Sequence, residues 1–261
     1  MNPPVTDCHA HLADSRVWHM RQAVLEDSRA HGLAGILANA ARRSEWNQVL
    51  ELAAEKDVRA AIGIHPFWPD EWNEGARAEM LELLEKGAPV SAIGEIGLDF
   101  WNGRDNQRQQ ERAMAEQLEI AVSRRLPACI HNRKSWDEFF SIIGHMGIST
   151  LSGYCHNFTG SRETARRILD LGLHISFCSP VTYDNASRLR ELSRYIPDDK
   201  ILTETDFPDL PMRRFQGSFS MPWHAGLVAE ALAEARGVAP QSLAQRITEN
   251  FRGLFPPIPA P

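Results

Sequence analysis

The sequence is poor in several features that define whole classes of protein. Its 261 residues contain no apolar run approaching the ~18 residues of a membrane-spanning helix. The four cysteines are dispersed and form no Cys-x-x-Cys pair, which favours buried reduced thiols over a disulfide framework. The chain also has fewer basic than acidic residues. The net charge of −6 argues against a broad basic face for nucleic acid, although bound divalent ions can reverse the sign of a local pocket.

Other absences bear on organisation and compartment. Polar and charged residues follow Met1 almost at once, so no secretory leader is predicted, and with reduced thiols this predicts a cytoplasmic protein. There is no linker-like shift of composition and no low-complexity tract. We therefore predict one domain over residues 1–261, with no membrane association and no obligate protein partner evident.

Short apolar runs alternate with longer amphipathic ones along the chain. The predicted strands are Thr6–Leu12, Gly35–Asn39, Val58–His65, Ala92–Leu98, Ala128–His131, Thr150–His156, His174–Ser179 and Ile201–Asp206. The predicted helices are Arg16–His31, Ser44–Lys56, Glu74–Lys86, Asp105–Arg125, Ser135–Met146, Arg162–Leu171, Tyr183–Tyr195, Trp223–Arg236 and Pro240–Phe255, before a Pro-rich tail. Eight strand–helix units predict an α/β fold of the (β/α)8 TIM-barrel type, with a doubly wound open sheet as the alternative.

The fourth predicted strand carries an unexpected carboxylate. Glu95 lies in the middle of the apolar run Ala92–Leu98, which contains no Lys or Arg. Because a buried unpaired carboxylate costs several kcal/mol or changes its protonation, Glu95 needs a partner. A metal ion is one such partner.

Potential metal ligands gather where the other predicted strands end. Parallel barrels place their active sites at this C-terminal rim. The residues concerned are His9, His11, His65, Glu95, His131, His156 and Asp206. A single histidine at a strand end is more often structural than a ligand, but unrelated histidines would not all fall at one rim. Period-2 alternation also puts His9 and His11 on the same side of their strand.

The number of ligands predicts two ions rather than one tetrahedral ion. We expect Glu95 to bridge them, with His9, His11 and Asp206 on one ion and with His131 and His156 on the other. Mg²⁺ or Mn²⁺ are the expected ions, and Zn²⁺ or Ni²⁺ also suit this ligand set. Two divalent ions and two carboxylates leave a local charge of +2, which favours an anionic substrate. Asp206, expected as an exposed rim carboxylate, could accept the proton of an attacking water.

Several motifs together resemble the TatD-type metal-dependent deoxyribonuclease family of amidohydrolase-like barrels. They span the chain in order and read TDCHAHL, IGIHP, AIGEIGLDF, IHNR, CHNFTGS, ISFCSPVTYDNASRLREL, ILTETDFPDL and TENFRGLF. The resemblance implies the same six metal ligands, catalytic roles for Glu95 and Asp206, and substrate-phosphate contacts by His65 and Arg133. It also implies metal-dependent hydrolysis of phosphodiesters, as in a 3′–5′ exonuclease acting on single-stranded DNA or RNA ends.

Two departures from the family pattern concern substrate choice. Phe100-Trp101 stands where members commonly have an aromatic residue followed by Tyr. The loop after the eighth strand, residues 211–222, lacks the usual Arg-Asn-Glu-Pro stretch. Neither change touches the predicted metal ligands.

Further residues near the rim have two interpretations each. Trp68, Trp72 and Trp101 could stack on bases or could cap the barrel helices. Two or three of the following cations could contact phosphates, the others being ordinary surface residues: Arg133, Lys134, Arg162, Arg213 and Arg214. Asp7 and Asp99 could support metal-binding histidines, and Asp99 could equally cap the next loop.

Two other functions remain open from the sequence. One is an amidohydrolase that cuts a small amide or ester, although relatives of that kind often bridge their metals with a carboxylated Lys on the fourth strand, and this strand has none. The other is a non-catalytic barrel stabilised by metal, against which the large ligand set argues.

Overall fold

A computed structural model describes residues 4–256, and its centre is one eight-stranded parallel sheet in sequential order. The strands are β1 Val5–Ala10, β2 Leu33–Asn39, β3 Val58–Ile62, β4 Val90–Asp99, β5 Ala128–Arg133, β6 Gly153–Cys155, β7 His174–Phe177 and β8 Ile201–Thr203. Each pairs with its sequence neighbour, which a doubly wound sheet cannot do because its strand order reverses.

The sheet closes between its first strand and the segment that follows its last. Asp206 N donates to His9 O at 2.9 Å, and His11 N donates to Phe207 O at 2.7 Å. Ala10 and Phe207 form a parallel bridge. The predicted (β/α)8 barrel is therefore confirmed, and the open sheet is wrong.

Helices connect the strands on the outside. They are α1 Arg21–Ala30, α2 Trp46–Leu52, α3 Glu74–Glu85, α4 Gln107–Arg124, α5 Trp136–His145, α6 Arg162–Asp170, α7 Ser187–Tyr195, α8 His224–Arg236 and α9 Pro240–Leu254. All nine predicted helices are present, with shorter starts for α1 and α7. There, 3-10 turns at Trp18–Met20 and Ser179–Thr182 precede the helices.

The floor of the barrel is apolar. Inward residues of the strands, among them Leu37, Cys129 and Tyr154, form a cluster with Phe251 and Phe255 at the end of α9. Gly35 in β2 admits the Phe251 ring, because a Cβ at residue 35 would lie 2.6 Å from a ring carbon. The interior therefore has an apolar lower layer, above which polar side chains face the C-terminal rim.

No helix in residues 4–256 has the length and apolar character needed to cross a bilayer. The Pro-rich tail lies partly outside the described residues, as do the first three and last five positions of the predicted domain 1–261. The single-domain assignment stays a prediction.

Candidate metal centre

The predicted ligands lie together at the bottom of a cleft of about 700 Å³ at the C-terminal ends of the strands. Potential ligand atoms lie within 4.8 Å of one another in three groups. The groups are His9, His11 and Asp206; His9, Glu95 and His156; and His65, Glu95 and His131. Glu95 and His9 each belong to two of the three groups, and the bridging position of Glu95 stays a prediction.

Glu95 lies at the centre of this cluster and is only 2% exposed. Its Oε2 lies 3.2 Å from His9 Nε2 and 3.4 Å from His11 Nε2, while its Oε1 lies 2.8 Å from His131 Nδ1. Burial alone would raise the pKa of Glu95, but His65, His9 and the other imidazoles hold it well below its usual value. Glu95 is therefore a carboxylate surrounded by ring nitrogens.

The tautomers of His9 and His11 follow from their outer hydrogen bonds. Tyr154 donates its hydroxyl proton to Cys8 O at 2.6 Å, so His9 Nδ1 donates to the Tyr154 oxygen at 2.8 Å. His11 Nδ1 lies 3.1 Å from Asn39 O, which can only accept. His9 therefore directs its Nε2 lone pair inward, and among the described residues 4–256 this nitrogen is buried with no hydrogen-bond partner. Burial would lower the pKa of His11, but hydrogen bonds with Asp206 and Glu95 raise it well above its usual value, so the inward Nε2 of His11 carries a proton.

For the other two predicted histidine ligands, the outer partner of the ring is a carboxylate. His131 Nε2 lies 3.0 Å from Asp99 Oδ2, and its Nδ1 faces Glu95. His156 Nδ1 lies 2.8 Å from Glu204 Oε1, and its Nε2 lies 3.6 Å from Glu95 Oε1. Each ring has one nitrogen beside an outer carboxylate and the other turned toward Glu95.

This arrangement is the test of whether a cation suits the cluster. For His9, the inward nitrogen lone pair faces Glu95 Oε2 at 3.2 Å and Asp206 Oδ1 at 3.9 Å, so acceptor confronts acceptor. Two acceptors without a proton between them repel, whereas a divalent cation satisfies both. The donor set therefore fits a metal centre.

His65 differs from the four histidines that are predicted to bind metal. Its Nδ1 accepts a hydrogen bond from Phe67 N at 3.0 Å, so its Nε2 carries the proton. Burial lowers the pKa of His65 to about 3, which keeps the ring neutral. His65 Nε2 lies 3.2 Å from His131 Nδ1 and 3.6 Å from Glu95 Oε1, and it is a donor rather than a lone pair available to a metal. The contact of His65 with a substrate phosphate stays a prediction.

Asp206 completes the cluster from the segment after β8. Its carboxylate is 17% exposed and lines the cleft, so the expectation of an exposed rim residue is wrong. Asp206 Oδ1 lies 3.4 Å from His11 Nε2. Burial would raise the pKa of Asp206, but the hydrogen bond with His11 and the nearby His156 lower it.

Two glycines beside Glu95 allow strands β4 and β5 to approach closely. A Cβ on Gly94 would lie 2.4 Å from Cys129 Cβ. A Cβ on Gly97 would lie 1.8 Å from His131 O, and Gly97 has a φ of +152°. These glycines hold Glu95 and His131 at hydrogen-bonding distance.

Sequence reasoning missed Tyr154 and Glu204, the outer partners of His9 and His156. Glu204 is fully buried in the ILTETDFPDL motif, and its position two residues before Asp206 was the available signal. Asp99 supports His131 as predicted and also accepts from Trp101 N at 2.8 Å, so both interpretations of Asp99 hold. Asp7 contacts no histidine ring and instead accepts from His9 N and Thr205 N.

The two outer carboxylates change the charge sum. Glu95, Asp206, Asp99 and Glu204 together carry −4, against +4 for two divalent ions, so the sum falls from the expected +2 to zero. Positive charge toward an anionic substrate must then come from the rim of the cleft.

The rim contains only part of the predicted set. Trp68, Trp101, Arg133 and Lys134 line the cleft. Trp72 does not, because it is 1% exposed and its Nε1 donates to Glu116 Oε2. The remaining predicted cations lie over aromatic rings that do not line the cleft: Arg162 over Tyr195, Arg213 over Tyr183 and Arg214 over Phe215.

The family described as TatD related DNase matches residues 6–256 of this chain. The chain belongs to the TatD related DNase family. It is 33% identical over 250 residues to the uncharacterized metal-dependent hydrolase YabD of Bacillus subtilis, covering 95% of this chain and 98% of YabD. It is 31% identical over 255 residues to the 3′-5′ ssDNA/RNA exonuclease TatD of Salmonella typhimurium, covering 95% of this chain and 98% of that protein.

A solved structure agrees with this membership. The TatD homolog YjjV of Escherichia coli superposes with a TM-score of 0.90 at 29% identity, covering 98% of both chains. The resemblance predicted from the motifs is therefore confirmed. This TatD-family chain is a metal-dependent hydrolase, with a His, Glu and Asp cluster placed to bind metal.

Proposed function

We propose that this protein is a divalent-metal-dependent phosphodiesterase that removes nucleotides 3′ to 5′ from single-stranded nucleic-acid ends. The observation that carries the proposal is the inward orientation of four histidines around one buried carboxylate. The naming of relatives such as the Salmonella typhimurium protein as 3′-5′ ssDNA/RNA exonucleases supports the choice of nucleic acid over other esters.

Six residues would hold two divalent ions, Mg²⁺ or Mn²⁺ by preference: His9, His11, Glu95, His131, His156 and Asp206. When bound, such ions activate a water and stabilise charge on the attacking and leaving oxygens of a phosphodiester. The protein fixes the ligand geometry through Tyr154, Asn39 O, Asp99 and Glu204.

Asp206 is the proposed general base. Both ligand carboxylates line the cleft, but that of Asp206 is 17% exposed, whereas that of Glu95 is 2% exposed beneath the imidazoles. Its lowered pKa keeps the carboxylate ionised and able to accept the proton of the attacking water.

His65 and Arg133 are the proposed substrate contacts. The neutral His65 ring offers an Nε2–H at the floor of the cleft, and Arg133 offers a guanidinium at its rim. A donor and a cation at these positions suit the non-bridging oxygens of a phosphate. An amide substrate would not require the cation.

The test is degradation of 5′- and 3′-labelled single-stranded DNA and RNA with Mg²⁺ or Mn²⁺. We expect a ladder that shortens from the 3′ end, and loss of this ladder in Glu95→Gln. Glu45→Gln is the matched control, since Glu45 lines the same cleft and accepts from Ala41 N at 2.7 Å. Intact strands despite bound metal would refute the nuclease, and cleavage of small amides or lactones would then favour the amidohydrolase alternative.

A further inference from the structure

The residue after the buried aromatic at the end of β4 is an exposed tryptophan on the cleft wall. Phe100 is turned inward and 5% exposed, whereas Trp101 is 51% exposed and lines the cleft. Half of its surface is therefore available to a ligand.

Two consecutive cations lie against the Trp101 ring. The Arg133 guanidinium carbon lies 3.9 Å from the ring centre, and Lys134 Nζ lies 4.0 Å from it. Neighbouring residues in a strand normally point to opposite faces. Lys134 has a φ of +58°, a left-handed conformation that costs a non-glycine residue roughly 1–2 kcal/mol and breaks this alternation. The backbone thus brings both charges to one indole.

Hydrogen bonds fix this group relative to the metal centre. Trp101 N donates to Asp99 Oδ1 at 2.8 Å, and the other oxygen of Asp99 lies 3.0 Å from His131 Nε2. Phe100 N donates to Arg133 O at 2.9 Å. The tryptophan and the cation are therefore held at a set position beside the predicted metal ligands.

The charges at this position differ from the other cationic side chain of the rim. Arg16 also lines the cleft, but its guanidinium pairs with both Asp14 and Asp209. Arg133 and Lys134 lie over the Trp101 ring, and the ion pairs formed within residues 4–256 include neither of them. Because the carboxylates of the centre balance two divalent ions, these two side chains supply the positive charge of the cleft.

We propose that Trp101, Arg133 and Lys134, here called the Trp101 ledge, bind one unpaired base of the substrate strand. The base stacks on the half-exposed indole in place of one of the two cations, and both cations then face the phosphates beside the base. An aromatic surface flanked by cations is how sequence-independent single-strand sites are built. Bases in a duplex are covered on both faces, so the ledge selects single strands. This inference rests on the proposed function for the identity of the strand.

The experiment measures binding separately from cleavage. A fluorescein-labelled, cleavage-resistant phosphorothioate 12-mer is titrated with the full chain in Mg²⁺ and followed by anisotropy. A second strand of the same length has three abasic nucleotides at its 3′ end. The variants are Trp101→Ala and Trp101→Phe. The matched control is Trp18→Ala, which removes a tryptophan with a guanidinium (Arg21) 3.8 Å from its ring but outside the cleft lining.

We expect Trp101→Ala to weaken binding of the intact strand about 5- to 150-fold, the range of one base–aromatic stack. Trp101→Phe should recover most of this affinity, and Trp18→Ala should bind like the wild type. The abasic-ended strand should bind wild type and Trp101→Ala equally, because the contact is already lost. Hydrolysis of bis(4-nitrophenyl) phosphate, a small diester, by the wild type reports on the metal centre separately from strand binding.

Equal affinity of wild type and Trp101→Ala for the intact strand would overturn the proposal. So would a loss in Trp101→Ala that is equally large for the abasic-ended strand. Failure of the nuclease assignment has a different signature, since the wild type would then hydrolyse neither DNA nor the small diester while ledge-dependent binding persists.

Discussion

Replacing Glu204 by Gln should weaken metal binding without disturbing the fold. Glu204 is fully buried, and its Oε1 lies 2.8 Å from both His156 Nδ1 and Asn157 N. Its Oε2 accepts from the Ser176 hydroxyl. A glutamine can keep its oxygen toward His156 and Asn157 and donate its amide to Ser176 Oγ. The shape and hydrogen bonds are retained, and only the charge is removed.

The charge has a measurable effect on the imidazole. Burial alone would lower the pKa of His156, but Glu204 and then Glu95 raise it to about 10. Removing an outer partner of this kind typically costs 10- to 100-fold in metal affinity, which corresponds to about 1.4–2.7 kcal/mol. We expect this loss in Glu204→Gln.

The assay is a calorimetric Mn²⁺ titration of the metal-stripped chain, with Glu45→Gln as the control. Thermal unfolding in EDTA checks the fold, and we expect the Tm of Glu204→Gln to fall by no more than about 4 °C. Wild-type Mn²⁺ affinity in Glu204→Gln would show that His156 needs no charged partner. An equal loss in Glu45→Gln would show that only the overall charge of the cleft matters.

Three further predictions concern stability. Gly97→Ala should cost about 3 kcal/mol or more in urea unfolding, because the new methyl would lie 1.8 Å from His131 O, and unchanged stability would contradict the close approach of β4 and β5. Phe251→Ala should cost about 3–5 kcal/mol by opening the barrel floor, while Phe251→Leu should cost less; equal costs would refute a packing role. Burial, and then the charge of Lys200, lowers the pKa of His174 from 6.5 to about 4. The unfolded chain therefore binds a proton that the folded chain does not bind. The free energy of unfolding should fall by about 3 kcal/mol as the pH drops from 6.5 to 4. His174→Gln should flatten this fall in urea titrations between those pH values, and a slope identical to wild type would remove His174 as its cause.

Most of the fold was predictable because burial on both faces makes the strands of a parallel barrel apolar throughout. The ends of the strands were less predictable. β3 ends at Ile62 and β8 at Thr203, short of the predicted His65 and Asp206. The apolar runs continue into the loops at the rim, where the chain stays buried after the ladder of hydrogen bonds has ended.

The metal centre also has a part that was predictable from the sequence and a part that was not. Chemistry at strand ends indicated His9, His11, His131 and His156, since residue type and position along a strand are properties of the sequence. The sequence did not indicate Tyr154 and Glu204, because β1, β6 and β8 meet only when the barrel closes. Asp206 shows the same limit, since its φ of +57° and its place inside the cleft depend on hydrogen bonds to β1.

The sequence by itself determined the barrel, the family and the set of ligand-type residues, because periodicity and residue chemistry are local. Only the tertiary structure decided which nitrogen of each histidine faces Glu95, that His65 is a donor, and that Trp101 lies against Arg133 and Lys134. The physical reason is that a hydrogen bond or a ring contact depends on distances of about 3–4 Å between residues far apart in the chain. Those distances are set by packing of the whole barrel.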